Sequence, residues 1–366
     1  MRLFRWRLGS LLKVTQEKKQ KNKLEFWRKA KNFNISDISF NDFKVIKFIP
    51  KNNIEGNFII YLHGGGYVAC GPETHASIVT QLSSYSRTTV LFPVYRLAPK
   101  FPFPSAIDDC LIVYKDLLEK GVEAKNISLV GDSAGGGLVM ALLQILSKEK
   151  IDFPSSAILI SPWTDLTLSG ESMKERVGRD PMLHPGKEMD GVVKAYTGDE
   201  DPRNPLISSI FSNDLLFPPI QIHVGSEEVL YDDAIRLYNK IKQKDGNIVE
   251  LREWDGLFHV FNIFCKGFLA IPEAKIANQE IVDFIKKYAE WIPYKHKVKA
   301  ILNNGDYVTL PVNRETKKIV GEENIIETFF RPYSEKMWGI KLEELSPDIL
   351  KRIPSRDDDN EYYFPD

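Results

Sequence analysis

Gly131-Asp132-Ser133-Ala134-Gly135 stands between a β-branched run, "NISLV", and a long apolar stretch, "GGLVMALLQIL". Strand, sharp turn and helix in that order form a nucleophile elbow, G-x-S-x-G, which lifts a serine hydroxyl above the end of a sheet. The small flanking residues leave room for the turn. The helix behind Ser133 points free backbone N–H groups and its positive dipole end at whatever the hydroxyl attacks. A serine that merely caps a helix is the alternative, and the strand–turn–helix context speaks against it. The chemistry such a residue performs is acyl transfer.

A serine at its ordinary pKa needs a base. Six histidines are present, His63, His75, His184, His223, His259 and His296. In this architecture the chain order is nucleophile, acid, histidine, which leaves His223, His259 and His296. His223 lies inside the strand-like "IQIHV" and is expected to pack within the sheet. His296 falls beyond a change of character near residue 294. His259, in "WDGLFHVF", follows the last strand candidate and is the expected base. The acid that would orient it should come from the loop "GSEEVLYDDA", where Glu227, Glu228, Asp232 and Asp233 compete. Asp232 and Asp233 also suit the start of a helix. Spacing does not separate Glu227 from Glu228.

"YLHGGGYVACG" places three consecutive glycines, Gly64 to Gly66, directly after an apolar run. Glycine is costly to order and gives up side-chain packing, so a bare backbone must be needed there. The developing oxyanion of acyl transfer needs fixed N–H donors. These glycines, with the Ala134 N–H, can supply them. No GxxxxGK[ST] or GxGxxG occurs to suggest phosphate binding instead.

The positioning elements are legible around these residues. "KVIKF", "FIIYL", "TVLFP", "NISLV", "AILI", "IQIHV" and "IVELR" read as strands. "HASIVTQLSSYS", "SAIDDCLIVYKDLLEKG" and "DDAIRLYNKIKQKDG" read as helices, the second with Ser105 as N-cap. The alternation predicts an α/β fold with a mostly parallel sheet, helices on both faces, and a site beyond the carboxyl ends of the strands. Residues 1–40 are basic and helix-prone, and residues 165–215 are charged and rich in Pro and Gly. Both are expected to cover the mouth of the site, around a catalytic domain spanning 41–294. Residues 295–366 form a separate C-terminal segment.

The 366-residue chain is 43% hydrophobic and 27% charged with a formal net charge of −1, so no global field favours nucleic acid or an anionic membrane. Three cysteines without CxxC spacing suit a reducing compartment. No run reaches the ~18 apolar residues that cross a bilayer. The start "MRLFRWRLGSLLKV" lacks a cleavage site and reads as a basic amphipathic helix. A cytoplasmic protein without stable membrane insertion is expected, with a homodimer left open.

"HGGG", "VYRLAPKFPFPSAIDD", "GDSAGG", "SPWTDLT", "GSEEVLYDD" and "GLFHVF" occur in an order that resembles the hormone-sensitive-lipase-like esterases of the α/β-hydrolase fold. The resemblance covers about residues 40–290. It implies Ser133 as nucleophile, His259 as base, and Gly65, Gly66 and Ala134 as oxyanion donors. Where many relatives have "DPLxD" this chain reads "EVLYD", which puts Glu228 at the acid position. It further implies a helical cap, short- to medium-chain acyl esters as the small-molecule substrates, and neither metal nor organic cofactor. Plant gibberellin receptors resemble the same family but have lost the catalytic histidine. A non-catalytic ligand-binding homologue is therefore the alternative, and His259 argues against it. The tail Phe329 to Asp366 resembles an internal piece of UDP-galactopyranose mutase, in which Trp338, Arg352 and Tyr363 match sugar-nucleotide contacts. Without a flavin-binding GxGxxG it is expected to be a fusion remnant or accessory segment rather than a working flavoenzyme. A role in nucleotide-sugar metabolism would rest on this tail alone.

Overall fold

The computed structural model describes residues 32–213, 216–267 and 269–289, together with two short strands at 297–301 and 307–311. The expected N-terminal helix and the mutase-like tail, with Trp338, Arg352 and Tyr363, lie outside the described residues. By contacts the chain divides into two compact units, Met1–Ala289 and Glu290–Asp366.

In the first unit eight strands form one sheet: β1 (Phe33–Ser39), β2 (Lys44–Pro50), β3 (Phe58–Leu62), β4 (Thr89–Val94), β5 (Ile127–Asp132), β6 (Ser156–Ile160), β7 (Ile220–Gly225) and β8 (Val249–Trp254). Their order across the sheet is β1-β2-β4-β3-β5-β6-β7-β8. β1 pairs antiparallel with β2, and β2 with β4, whereas every pairing from β4 to β8 is parallel. Seven of the eight strands overlie the runs expected from sequence. The eighth, β1, corrects the helical reading of residues 33–39. Its Ile35 and Ile38, three positions apart, fall on opposite faces and are only partly buried, each against a different side of the core, among exposed Asn34, Ser36, Asp37 and Ser39, as suits a strand at the edge of the sheet.

The helices are α1 (Pro72–Ser86), α2 (Ser105–Glu119), α3 (Ala134–Glu149), the single turn α4 (Ser172–Glu175), α5 (Lys187–Thr197), α6 (Tyr231–Lys242) and α7 (Pro272–Tyr288). α2 begins at Ser105 itself, with Pro104 in the cap position and no side-chain cap bond. Strand periodicity divides the core between the two faces of the sheet. On β3, Ile60 and Leu62 pack with α2 and α3, while Ile59 and Tyr61 pack with α1 and α7.

The stretch 165–215 carries α4, α5 and a 3-10 turn at Ser209–Phe211. α5 buries Met189, Val193 and Tyr196. The Tyr196 ring stacks on Tyr67 at 3.6 Å between centroids, so this segment packs onto the loop that follows β3. In the second unit, β9 (Lys297–Ile301) and β10 (Tyr307–Pro311) form an antiparallel pair.

Candidate active site

Parallel strands in register deliver their following loops to one edge of the sheet. The loops after β3, β5, β7 and β8 carry the glycine run, Ser133, Glu228 and His259 respectively. Four segments distant in sequence thus meet above one edge.

Ser133 occupies the turn between β5 and α3 with φ 54° and ψ −121°. A non-glycine residue in that region costs about 1–3 kcal/mol and persists only where its surroundings impose it. Here its N–H donates to the Ile160 carbonyl at 2.8 Å, and its own carbonyl accepts from the Trp163 N–H at 2.9 Å. Gly135, the second residue of α3, passes so close to the carbonyls of Leu62 and His63 that a Cβ would collide with both.

Ser133 Oγ lies 2.9 Å from His259 Nε2, and His259 Nδ1 lies 3.1 Å from Glu228 Oε2. All three are buried, with 6% of Ser133, 3% of His259 and none of Glu228 exposed. Glu228 Oε1 accepts from the Ser161 hydroxyl at 2.7 Å and from the Gly225 N–H at 2.5 Å. Burial pushes the Glu228 carboxyl up, against the opposing pull of His259. Burial also works against a charged His259, but the hydrogen bond and charge of Glu228 outweigh it and hold the imidazole above its ordinary value. Such a carboxylate selects the tautomer with the proton on Nδ1, leaving Nε2 free to accept from Ser133.

The competing acids have other partners. Glu227 forms an outward ion pair with Arg179 at 2.6 Å. Asp232 Oδ2 accepts from the Ser172 N–H at 2.8 Å, at the start of α4. Asp233 is buried and accepts from the Thr164 and Asp165 N–H groups at 2.7 and 2.8 Å. His223 packs in the sheet, 2.9 Å from Gln221 Oε1, and accepts from Trp254 Nε1 at 3.2 Å. Burial lowers its pKa to about 3. His184 is exposed, and His296 lies outside the described residues.

In the glycine run, Gly65 has φ 113° and Gly66 φ 62°, and a Cβ on Gly66 would come 2.8 Å from Val192 of α5. The Gly65 carbonyl turns inward to accept from the Val68 and Ala69 N–H groups at 3.2 and 3.0 Å. Among the described residues no backbone or side-chain acceptor engages the N–H of Gly65 or Gly66. The Ala134 N–H, first in α3, is one of the donors a helix leaves unpaired.

Ser161 escaped the sequence reading as a functional residue. It lies in the quoted "SPWTDLT", yet its type and spacing announce nothing. In the fold its hydroxyl donates to Glu228 and accepts from the Val260 N–H at 3.0 Å, joining the acid to the loop that carries His259. Among the described residues no cluster of three or more His, Cys, Asp or Glu could hold a metal ion. No helix there is long and apolar enough to cross a membrane.

A family profile described as the alpha/beta hydrolase fold matches residues 59–263. An acetyl-hydrolase of Streptomyces hygroscopicus is 38% identical over 63% of this chain and 76% of its own length. An esterase of Acinetobacter venetianus is 35% identical over 62% of this chain and 73% of its own. Among solved structures, a hormone-sensitive lipase from a metagenome library superposes with a TM-score of 0.70 at 32% identity, covering 78% of this chain and 98% of that one. An esterase/lipase from an uncultured bacterium superposes with a TM-score of 0.67 at 36% identity, covering 71% of this chain and 86% of that one.

Proposed function

The chain belongs to the α/β-hydrolase family, and on that premise we propose that it is a serine carboxylesterase working through Ser133, His259 and Glu228. The observation that carries the reading is the unbroken line of contacts from Ser133 Oγ through the two ring nitrogens of His259 to Glu228. Relatives bearing the names acetyl-hydrolase and esterase support the substrate class.

In the proposed cycle Ser133 Oγ attacks the ester carbonyl carbon as His259 Nε2 takes its proton. The carbonyl π pair moves onto oxygen, where the N–H groups of Gly65, Gly66 and Ala134 receive the charge. These donors are fixed before the reaction, so they stabilise the oxyanion without reorganisation. The C–O bond to the alcohol then breaks, and His259 gives the proton to the leaving oxygen. Water repeats the sequence on the acyl-serine: His259 takes its proton, hydroxide adds, and Ser133 leaves protonated with release of the acid. Glu228 stays ionised and stabilises the imidazolium in both halves. Short- to medium-chain acyl groups are the proposed substrates, as the family resemblance implies.

Activity on p-nitrophenyl esters of graded acyl length, with fluorophosphonate labelling of Ser133, tests the reading. Label on Ser133 and hydrolysis that fades as the chain lengthens are expected. An unlabelled serine in a folded protein would mark a binding module instead.

A further inference from the structure

The cycle leaves one buried cluster beneath the nucleophile without a task. Asp132, the neighbour of Ser133, is 1% exposed. Its Oδ1 accepts from the Tyr61 hydroxyl at 2.9 Å, and its Oδ2 lies 3.2 Å from His75 Nε2. Tyr61 is on β3, just before the glycine run. His75 is in the first turn of α1, just after the same loop ends. One carboxylate therefore holds both ends of the loop that carries Gly65 and Gly66, and one peptide bond joins it to Ser133. Gly64 lies against this carboxylate so closely that a side chain there would strike it.

Both ring nitrogens of His75 face acceptors. Nε2 meets Asp132. Nδ1 is 2.7 Å from Thr74 Oγ1 and 3.2 Å from the Gly71 carbonyl. The Thr74 hydroxyl directs its own proton to that carbonyl at 2.8 Å, so its oxygen accepts from the ring. An imidazole with acceptors at both nitrogens carries two protons and a positive charge. Three titratable groups face it: Asp132 from β5, Tyr61 from β3 and His63 from the start of the loop. His63 is kept neutral by burial and by repulsion from His75, with its pKa lowered to about 3. Burial favours a protonated Asp132, but His75 outweighs it and holds the carboxyl below its usual range.

We propose that His75 is a positioning residue, a buried imidazolium that with Asp132 and Tyr61 clamps both ends of the oxyanion loop to the end of β5, from which the chain turns into Ser133. Such a clamp acts on the placement of the N–H donors, which matters in the transition state more than in the bound ester. Its loss therefore lowers kcat and spares KM.

The test uses the full chain labelled with 15N-histidine at pH 8, with His75 assigned by its absence from H75Q. Both His75 nitrogens should show protonated shifts, and Asp132→Asn should return the ring to a neutral tautomer. On p-nitrophenyl butyrate, H75F should lose kcat by roughly ten- to hundredfold with KM within about threefold. H75Q, which keeps one N–H for Asp132, should regain part of that loss. Should H75F fail to fold, a kcat loss of about threefold or more at unchanged KM in H75Q is the required result. A neutral His75 in the wild type overturns the proposal, as does unchanged kcat or a parallel change of kcat and KM. The kinetic arm rests on the esterase reading and the nitrogen shifts do not. A charged His75 in a protein inactive on all esters would refute the esterase and leave the buried imidazolium standing.

Discussion

Replacing Glu228 by glutamine keeps the shape of the side chain and changes which way the His259 proton must point. At the Oε1 position the Gly225 N–H and the Ser161 hydroxyl both donate, so the amide oxygen of glutamine belongs there. The NH2 group is then left facing His259 Nδ1, now 3.1 Å from Glu228 Oε2. A donor in that place requires Nδ1 to accept, which puts the ring proton on Nε2, toward Ser133, where no base remains. Turning the amide over would restore the tautomer but set NH2 against the immobile Gly225 N–H. Leaving that buried donor unsatisfied costs about 1–3 kcal/mol. At ~1.4 kcal/mol per factor of ten, the working orientation is held to between roughly a sixth and under a hundredth of molecules. Loss of the charge that stabilises the imidazolium adds to this, and a fall of roughly a thousand- to ten-thousandfold in kcat is expected. The assay is kcat and KM on p-nitrophenyl acetate or butyrate, with circular dichroism to verify the fold. Glu227→Gln, which removes only an outward ion pair, should stay within about twofold. A folded E228Q within tenfold of the wild type, or a larger loss in E227Q, would refute the tautomer argument.

Ser133→Ala and His259→Ala should each lower kcat by several orders of magnitude and the double variant little further, because the pair acts as a unit; near-additive losses in steady-state assays would contradict this. A chain ending at Ala289, where the first compact unit closes, should stay folded with esterase kcat/KM within roughly tenfold of the full chain, and aggregation or inactivity would show that the tail completes the fold. Burial pushes the Asp233 carboxyl up to about 7. The folded state therefore holds a proton that the unfolded chain releases near pH 4, and this group's contribution to stability falls as pH rises from about 4 to about 7. Asp233→Asn should flatten denaturant midpoints across that window, and an unchanged slope would mean that Asp233 is ionised throughout.

The parts written in the sequence are those whose cause is local. The strands β3 to β7 were legible because burial on both faces calls for near-continuous apolar runs, and the elbow because a sharp strand-to-helix turn demands small residues around Ser133. The order of Ser133, the acid loop and His259 could be read along the chain, since parallel strands return their loops to one edge whatever lies between. β1 was missed because it lies at the edge of the sheet with its two isoleucines on opposite faces, so "FNISDIS" carries no period-2 apolar pattern to stand out. The choice among acids shows where local reading ends. Glu227 and Glu228 are adjacent and alike, yet one faces Arg179 at the surface and the other faces Ser161 and His259 in the interior. That difference is made by β6 lying beside β7, which brings Ser161 to a residue 67 positions away. Likewise His75 looks like any helical histidine until β3, β5 and α1 converge on Asp132. Burial and hydrogen-bond partners decide which carboxylate orients a base and which imidazole holds a charge. Both are properties of segments brought together across the sheet, so the roles proposed for Glu228 and His75 rest on the tertiary structure and not on the sequence alone.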